Sequence, residues 1–135
     1  MSAEKIIRTL LTASSTVTAL VSDRVYPGEI PQGVALPAIG LTHISTVEVS
    51  TIDASAANML VQSRIECTAL AKDYATVKSI ISAIRSACNY AHGTVAGFSV
   101  VSVRRDLVGY DTRDSDTGIL AQTIDFQVYW QEPNT

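Results

Sequence analysis

Met59-Leu60-Val61-Gln62-Ser63-Arg64-Ile65-Glu66-Cys67-Thr68-Ala69-Leu70 is the stretch on which the fold turns. Met59, Val61, Ile65, Cys67 and Ala69 alternate with Gln62, Arg64, Glu66 and Thr68, the period of two that a strand shows when one face of its sheet is covered. The pattern then changes to helical spacing. Asp73 offers an N-cap, and Tyr74, Val77, Ile80, Ile81, Ile84 and Cys88 fall on one stripe of a helix running to Asn89. Such a helix is about 25 Å long, enough to cross several strands. A half-covered strand followed by the helix that can cover it implies an α+β domain with helices packed on one face of the sheet.

Working outward, residues 98–105 read as a strand with Val101 and Val103 on one side and Phe98 and Val100 on the other. Gly93 and Gly97 bracket the turn before it. Residues 106–118, with two Gly and several Asp, read as a loop or an irregular hairpin. Residues 119–130 form a closing strand, with Leu120, Ile124, Phe126, Val128 and Trp130 inward and Thr123, Asp125, Gln127 and Tyr129 outward. On the N-terminal side, Ile6, Ile7, Leu10 and Leu11 make a short amphipathic helix over residues 3–13 with Ser2 as N-cap. Ser15 caps a second one that carries Val17, Leu20 and Val21. Pro27, Gly28, Pro31, Gly33 and Pro37 forbid helix from 23 to 37 and leave at most a brief extended piece at 24–26. A strand over 38–49 places Ile39, Leu41 and His43 on one face, and a bulge near residues 44–46 accounts for the misplaced Ile44. Residues 50–58 read as a mobile hairpin connection. The expected order is α-α-β-β-α-β-β, with an antiparallel sheet of about four strands in a single domain over residues 1–135.

At 135 residues the chain is one domain, and ten Lys and Arg against thirteen Asp and Glu give a net charge of -3. Bulk electrostatic attraction to nucleic acid is therefore missing. No apolar run has the length of a membrane helix, and residues 1–5 lack the cationic start of a signal peptide, so the expected setting is the cytoplasm, without a membrane. Hydrophobic residues make up 47% of the chain but aromatic ones only 6%, so small and branched side chains must build the core.

The chemistry-bearing residues do not form a catalytic pattern. His43, His92, Cys67 and Cys88 lie at no metal-ligand spacing, and both Cys read as small buried hydrophobes. No nucleophile elbow, phosphate loop or dinucleotide fingerprint is present, so neither enzyme activity nor a cofactor is expected. Asp111, Asp114 and Asp116 form an acidic group that Arg113 interrupts and no closing Glu completes as a calcium loop. The expected state is a solvated, negative loop. Arg104 and Arg105, consecutive on a strand, point to opposite faces and do not act as one phosphate clamp. Together with Ile52 and Asp53 in the 50–58 connection, Arg104, Arg105, Asp111, Asp114 and Asp116 are the candidate interaction residues.

The opening helix, the run Leu20-Val21-x-Asp23-Arg24-Val25-Tyr26-Pro27-Gly28, the Gly33-Val34-Ala35-Leu36-Pro37 approach to a long strand, the Asp73-Tyr74 helix start, Tyr110-Asp111 and Asp125-Phe126-x-Val128-x-Trp130 stand in this order. In that order and spacing the chain resembles the tail-completion or tail-terminator proteins of long-tailed bacteriophages and prophages. The resemblance spans nearly the whole chain, with Asp23-Arg24-Val25-Tyr26-Pro27 its most telling segment. It implies a structural virion protein of the tail or neck, a homohexameric ring that caps the tail tube and meets the head-closure or connector protein, with self-association and tail tube protein as partners. DNA would pass through unbound, past channel-lining acidic residues in a ring carrying six times the charge of one chain. A head-closure protein and a small ligand-binding or enzymatic α+β domain are the rival readings.

Overall fold

A computed structural model describes residues 2–28, 33, 35–48, 58–109, 111–115 and 117–133. Among these residues three helices, α1 (Ser2–Thr12), α2 (Ser15–Val21) and α3 (Tyr74–Cys88), lie against a sheet of seven strands. The strands are β1 (Val25–Pro27), β2 (Ala38–Glu48), β3 (Asn58–Ala71), β4 (Gly93–Val95), β5 (Phe98–Val108), β6 (Thr112–Arg113) and β7 (Leu120–Pro133). Their order across the sheet is β1-β2-β3-β7-β5-β4, with β6 also paired to β7. The class is α+β, as the periodicities imply.

The four long strands β2, β3, β7 and β5 run antiparallel, but the sheet is neither four-stranded nor purely antiparallel. β1 joins the edge in parallel, Val25 beside Ile39 and Pro27 beside Leu41. Four side-chain or main-chain contacts hold it there. Arg8 Nε donates to the Val25 carbonyl at 3.3 Å, Arg24 Nε to the Pro37 carbonyl at 2.9 Å, Ile39 N–H to the Arg24 carbonyl at 2.9 Å and Gly28 N–H to the Leu41 carbonyl at 2.7 Å. The Asp23-Arg24-Val25-Tyr26-Pro27 segment is therefore an architectural one. Gly28 adopts φ 80, a left-handed turn that a side chain would strain. The loop-like 106–118 stretch is in fact an irregular hairpin. β5 continues to Val108, Gly109 N–H donates to the Thr123 carbonyl, and β6 takes over the pairing with β7 until Asp114 and Gly118 turn the chain. β7 thus follows every other strand in the chain yet occupies the middle of the sheet.

The core lies between one sheet face and the helices. Ile6, Ile7 and Leu11 of α1, Val17 and Val21 of α2, and Val77, Ile80, Ile84 and Cys88 of α3 meet Val61, Ile65, Cys67, Ala69, Ile124, Phe126, Val128 and Trp130. Burying each large aliphatic group contributes about 1.5–3 kcal/mol. Two helix starts differ from the sequence reading, and the third keeps its cap residue without the expected cap bond. Ser2 is the first residue of α1 rather than its cap, and Ser14, not Ser15, caps α2 through its hydroxyl, which accepts Val17 N–H at 3.4 Å. Asp73 holds the N-cap position of α3, but its carboxylate accepts from Thr76 Oγ1 at 3.1 Å instead of from a main-chain N–H. Tyr74 is exposed rather than part of the buried stripe, its ring lying over Lys78 Nζ.

Two bulges re-aim side chains that strict alternation misplaces. One between His43 and Ser45 leaves Ile44 exposed and turns Thr46, not Ser45, to the inner face. The other, between Val100 and Ser102, expels Val101 to solvent so that Val100 and Val103 both point inward.

Candidate functional surface

Because all three helices pack on one side, the opposite face of the sheet is formed by the polar phase of the strands. Gln62, Arg64 and Glu66 of β3 lie beside Gln127 and Asp125 of β7, and Arg104 of β5 lies beside Gln127. A cross-strand clamp organises this face. Arg64 donates to Asp125 Oδ2 from Nε at 3.0 Å and from a terminal nitrogen at 2.7 Å, and that nitrogen also lies 3.1 Å from Asp106. The hydrogen bond to Asp125 raises the Arg64 pKa further above its ordinary value, with the Asp125 and Asp106 charges adding to it. Asp125 is on the outward phase, as expected, yet it is only 6% exposed because the Arg64 guanidinium covers it. Gln62 donates through Nε2 to Gln127 Oε1, which also accepts from the Tyr129 hydroxyl at 3.2 Å.

The acidic hairpin is tied down as well. Lys78 of α3 reaches Asp111 Oδ1 at 2.7 Å and Gln122 Oε1 at 2.9 Å, and Gln122 Nε2 donates to the Gly109 carbonyl at 2.9 Å. The hydrogen bond to Asp111 raises the Lys78 pKa. Asp111 therefore anchors the hairpin to α3 while its carboxylate stays exposed to solvent. Asp114 accepts from Thr117 N–H within the turn, at 3.4 Å. Asp116, Ile52 and Asp53 lie outside the described residues.

Arg104 pairs across from Gln127 and Arg105 across from Phe126, so they occupy opposite phases of β5, and both are exposed. With Asp106, Gln127 and Tyr129 they line a shallow cavity of about 160 Å³. A larger open groove of about 590 Å³ runs between α2 and α3, lined by small side chains such as Ala19, Ser79 and Ser82. Arg64, Lys78, Gln122 and Asp125 were not singled out by sequence. Their only local sign is that Arg64 and Asp125, of opposite charge, both fall on the polar phase of a strand.

Both Cys are free and buried, and burial pushes the Cys88 thiol up to about 12 and the Cys67 thiol well above its ordinary value. Among the described residues no three His, Cys, Asp or Glu side chains converge as metal ligands, and no helix is long and apolar enough to cross a membrane.

Residues 5–131 match the family model described as tail completion protein gp17. A comparison with curated proteins finds no match. Among solved structures, a chain from the virion of a native gene transfer agent particle superposes with a TM-score of 0.78 at 16% identity, covering 96% of this chain and 94% of that one. At that identity the likeness is one of fold.

Proposed function

The chain belongs to the tail completion protein gp17 family and so is a structural protein of the phage virion, placed in its tail or neck; on that premise we propose that it closes the tail tube as a ring and forms the joint to the head. Its partners in this reading are further copies of itself, the tail tube protein on one side and the head-closure or connector protein on the other. The family match over 127 residues carries the reading. The geometry supports it, because the polar side chains that converge are spent on joining strand to strand and hairpin to helix. Arg64, Asp106 and Asp125 knit three strands, and Lys78, Asp111 and Gln122 fix the 109–118 hairpin. Such a body is suited to offering fixed surfaces to neighbours.

DNA passes the ring without specific binding in this reading, with acidic side chains facing the channel and acting over a range of about 8 Å at physiological salt. Asp111, Asp114 and Asp116 are the acidic residues that this reading assigns to that role. Electron microscopy of particles made without this protein tests the reading. Overlong tails or tails detached from heads support it, and normal finished virions overturn it. Replacing Asp114 and Asp116 by Asn tests the channel charge separately: slowed DNA ejection is expected, and unchanged ejection removes that part.

A further inference from the structure

Seven large apolar side chains are exposed among the described residues, and five of them lie on only two strands: Ile44 and Val47 on β2, and Val101, Leu107 and Val108 on β5. β2 and β5 are the outermost long strands on opposite sides of the sheet, with β3 and β7 between them. Each has only part of its outer edge occupied. β1 covers β2 only at residues 39–41, and β4 covers β5 only at 98–100. The 89–91 segment extends the cover on β5 a little further. Tyr90 N–H donates to the Val103 carbonyl, Val103 N–H to the Ala91 carbonyl, and Arg105 N–H to Asn89 Oδ1. Beyond those points, residues 42–48 and 106–108 have no strand on their outer side among the described residues, and all of them are exposed.

The two open stretches sit at diagonally opposite corners. β2 runs toward the end of the sheet where β3 begins, and β5 runs toward the end where β3 finishes. They also differ in charge. Glu48 is the only Asp, Glu, Lys or Arg in residues 42–48, whereas Arg104 and Arg105 flank the other corner, where Asp106 is already engaged by Arg64. An open apolar strand edge is a template for pairing with another chain.

We propose that copies of this chain join head to tail through these two corners, residues 42–48 of one copy meeting residues 106–108 of the next, with Arg104 and Arg105 flanking the contact. The occupant is a second copy because the two corners complement each other in charge and in strand direction. β2 and β5 are antiparallel within one molecule, so a neighbour turned about a common axis presents its β2 antiparallel to this β5. Contacts between two different patches of one molecule propagate, and they close into a ring when the rotation permits, which a self-matching patch does not. The diagonal offset makes each copy step along the strand direction, so the strands run inclined to the ring axis, as closure of a sheet requires. The inference rests on the ring reading above and specifies its contact.

Assembled particles carrying Ile44→Cys together with Leu107→Cys provide the test, with each single variant as control and a short bismaleimide as cross-linker. Cys67 and Cys88 are buried and stay silent. The double variant is expected to give a ladder of multimers on denaturing gels, and each single variant none. A dimer from Ile44→Cys alone overturns the proposal, since it reports a two-fold contact between like edges. No ladder from the double variant, in particles where a general amine cross-linker still joins copies of this chain, overturns the proposal and leaves the ring standing. No multimer with either reagent overturns the ring reading and the edge contact with it.

Discussion

Ser63 shows how little slack the core has for polar groups. Fully buried, it accepts the Trp130 indole N–H at 3.0 Å and shares a second hydrogen bond with the Thr46 hydroxyl at 2.9 Å. Ser63→Ala removes the acceptor and strands a buried indole donor, so it is expected to cost about 1–3 kcal/mol. Trp130 is the only Trp and reports urea unfolding directly; an unchanged midpoint would sink the assignment. Cys88 sets a second residue-scale expectation. Its thiol ionises near 9 in an unfolded chain but only near 12 when folded, because burial disfavours the thiolate. The unfolded state therefore releases its proton first as pH rises. The contribution is intact below pH 9 and is lost between pH 9 and 12, at a slope of at most about 1.4 kcal/mol per unit. Urea midpoints between pH 8 and 11 should fall less steeply for Cys88→Ala than for the native chain, and equal slopes would refute this.

Among the elements, the 109–118 hairpin depends on α3 rather than on its own pairing, since β6 has only two residues. Lys78→Met frees Asp111 and removes a donor from Gln122, so hydrogen exchange in β6 should quicken several-fold while β3 keeps its protection. Uniform quickening across both would count against a local clamp. This element also shows what a sequence does and does not disclose. β3 and α3 could be read because their periods are set by one partner layer, and every alternate residue of β3 from Val61 to Ala71 is buried. β1 was visible only as a short extended piece, because three residues carry no period and its parallel pairing is held by Arg8 and Arg24 across 17 and 13 residues. Strict alternation groups Val101 with Val103, and the two part in the structure because a bulge adds one residue and reverses the alternation; nothing in Val100-Val101-Ser102 marks it. Of the candidate surface, Arg104, Arg105 and Asp111 were named from their charge. The groups that fix it, Arg64 with Asp125 and Lys78 with Gln122, are 61 and 44 residues apart, so only the fold brings them together.

At the level of the whole molecule, β7 is the hinge of the architecture: it pairs with β3 along all 14 residues and with β5 and β6 on its other side. Without it the sheet separates into a β1-β2-β3 part and a β5-β4 part, and Phe126 and Trp130 leave the core. A chain ending at Gly118 should show no cooperative thermal transition, and a two-state melt by circular dichroism would contradict this. A protein whose central strand is made after the strands it joins has a built-in check on its own manufacture. The ribosome must deliver β7 before either half can fold around it, so an abortive translation product has no rigid corners to offer. Broken chains are then refused by the assembly line rather than built in as faulty parts.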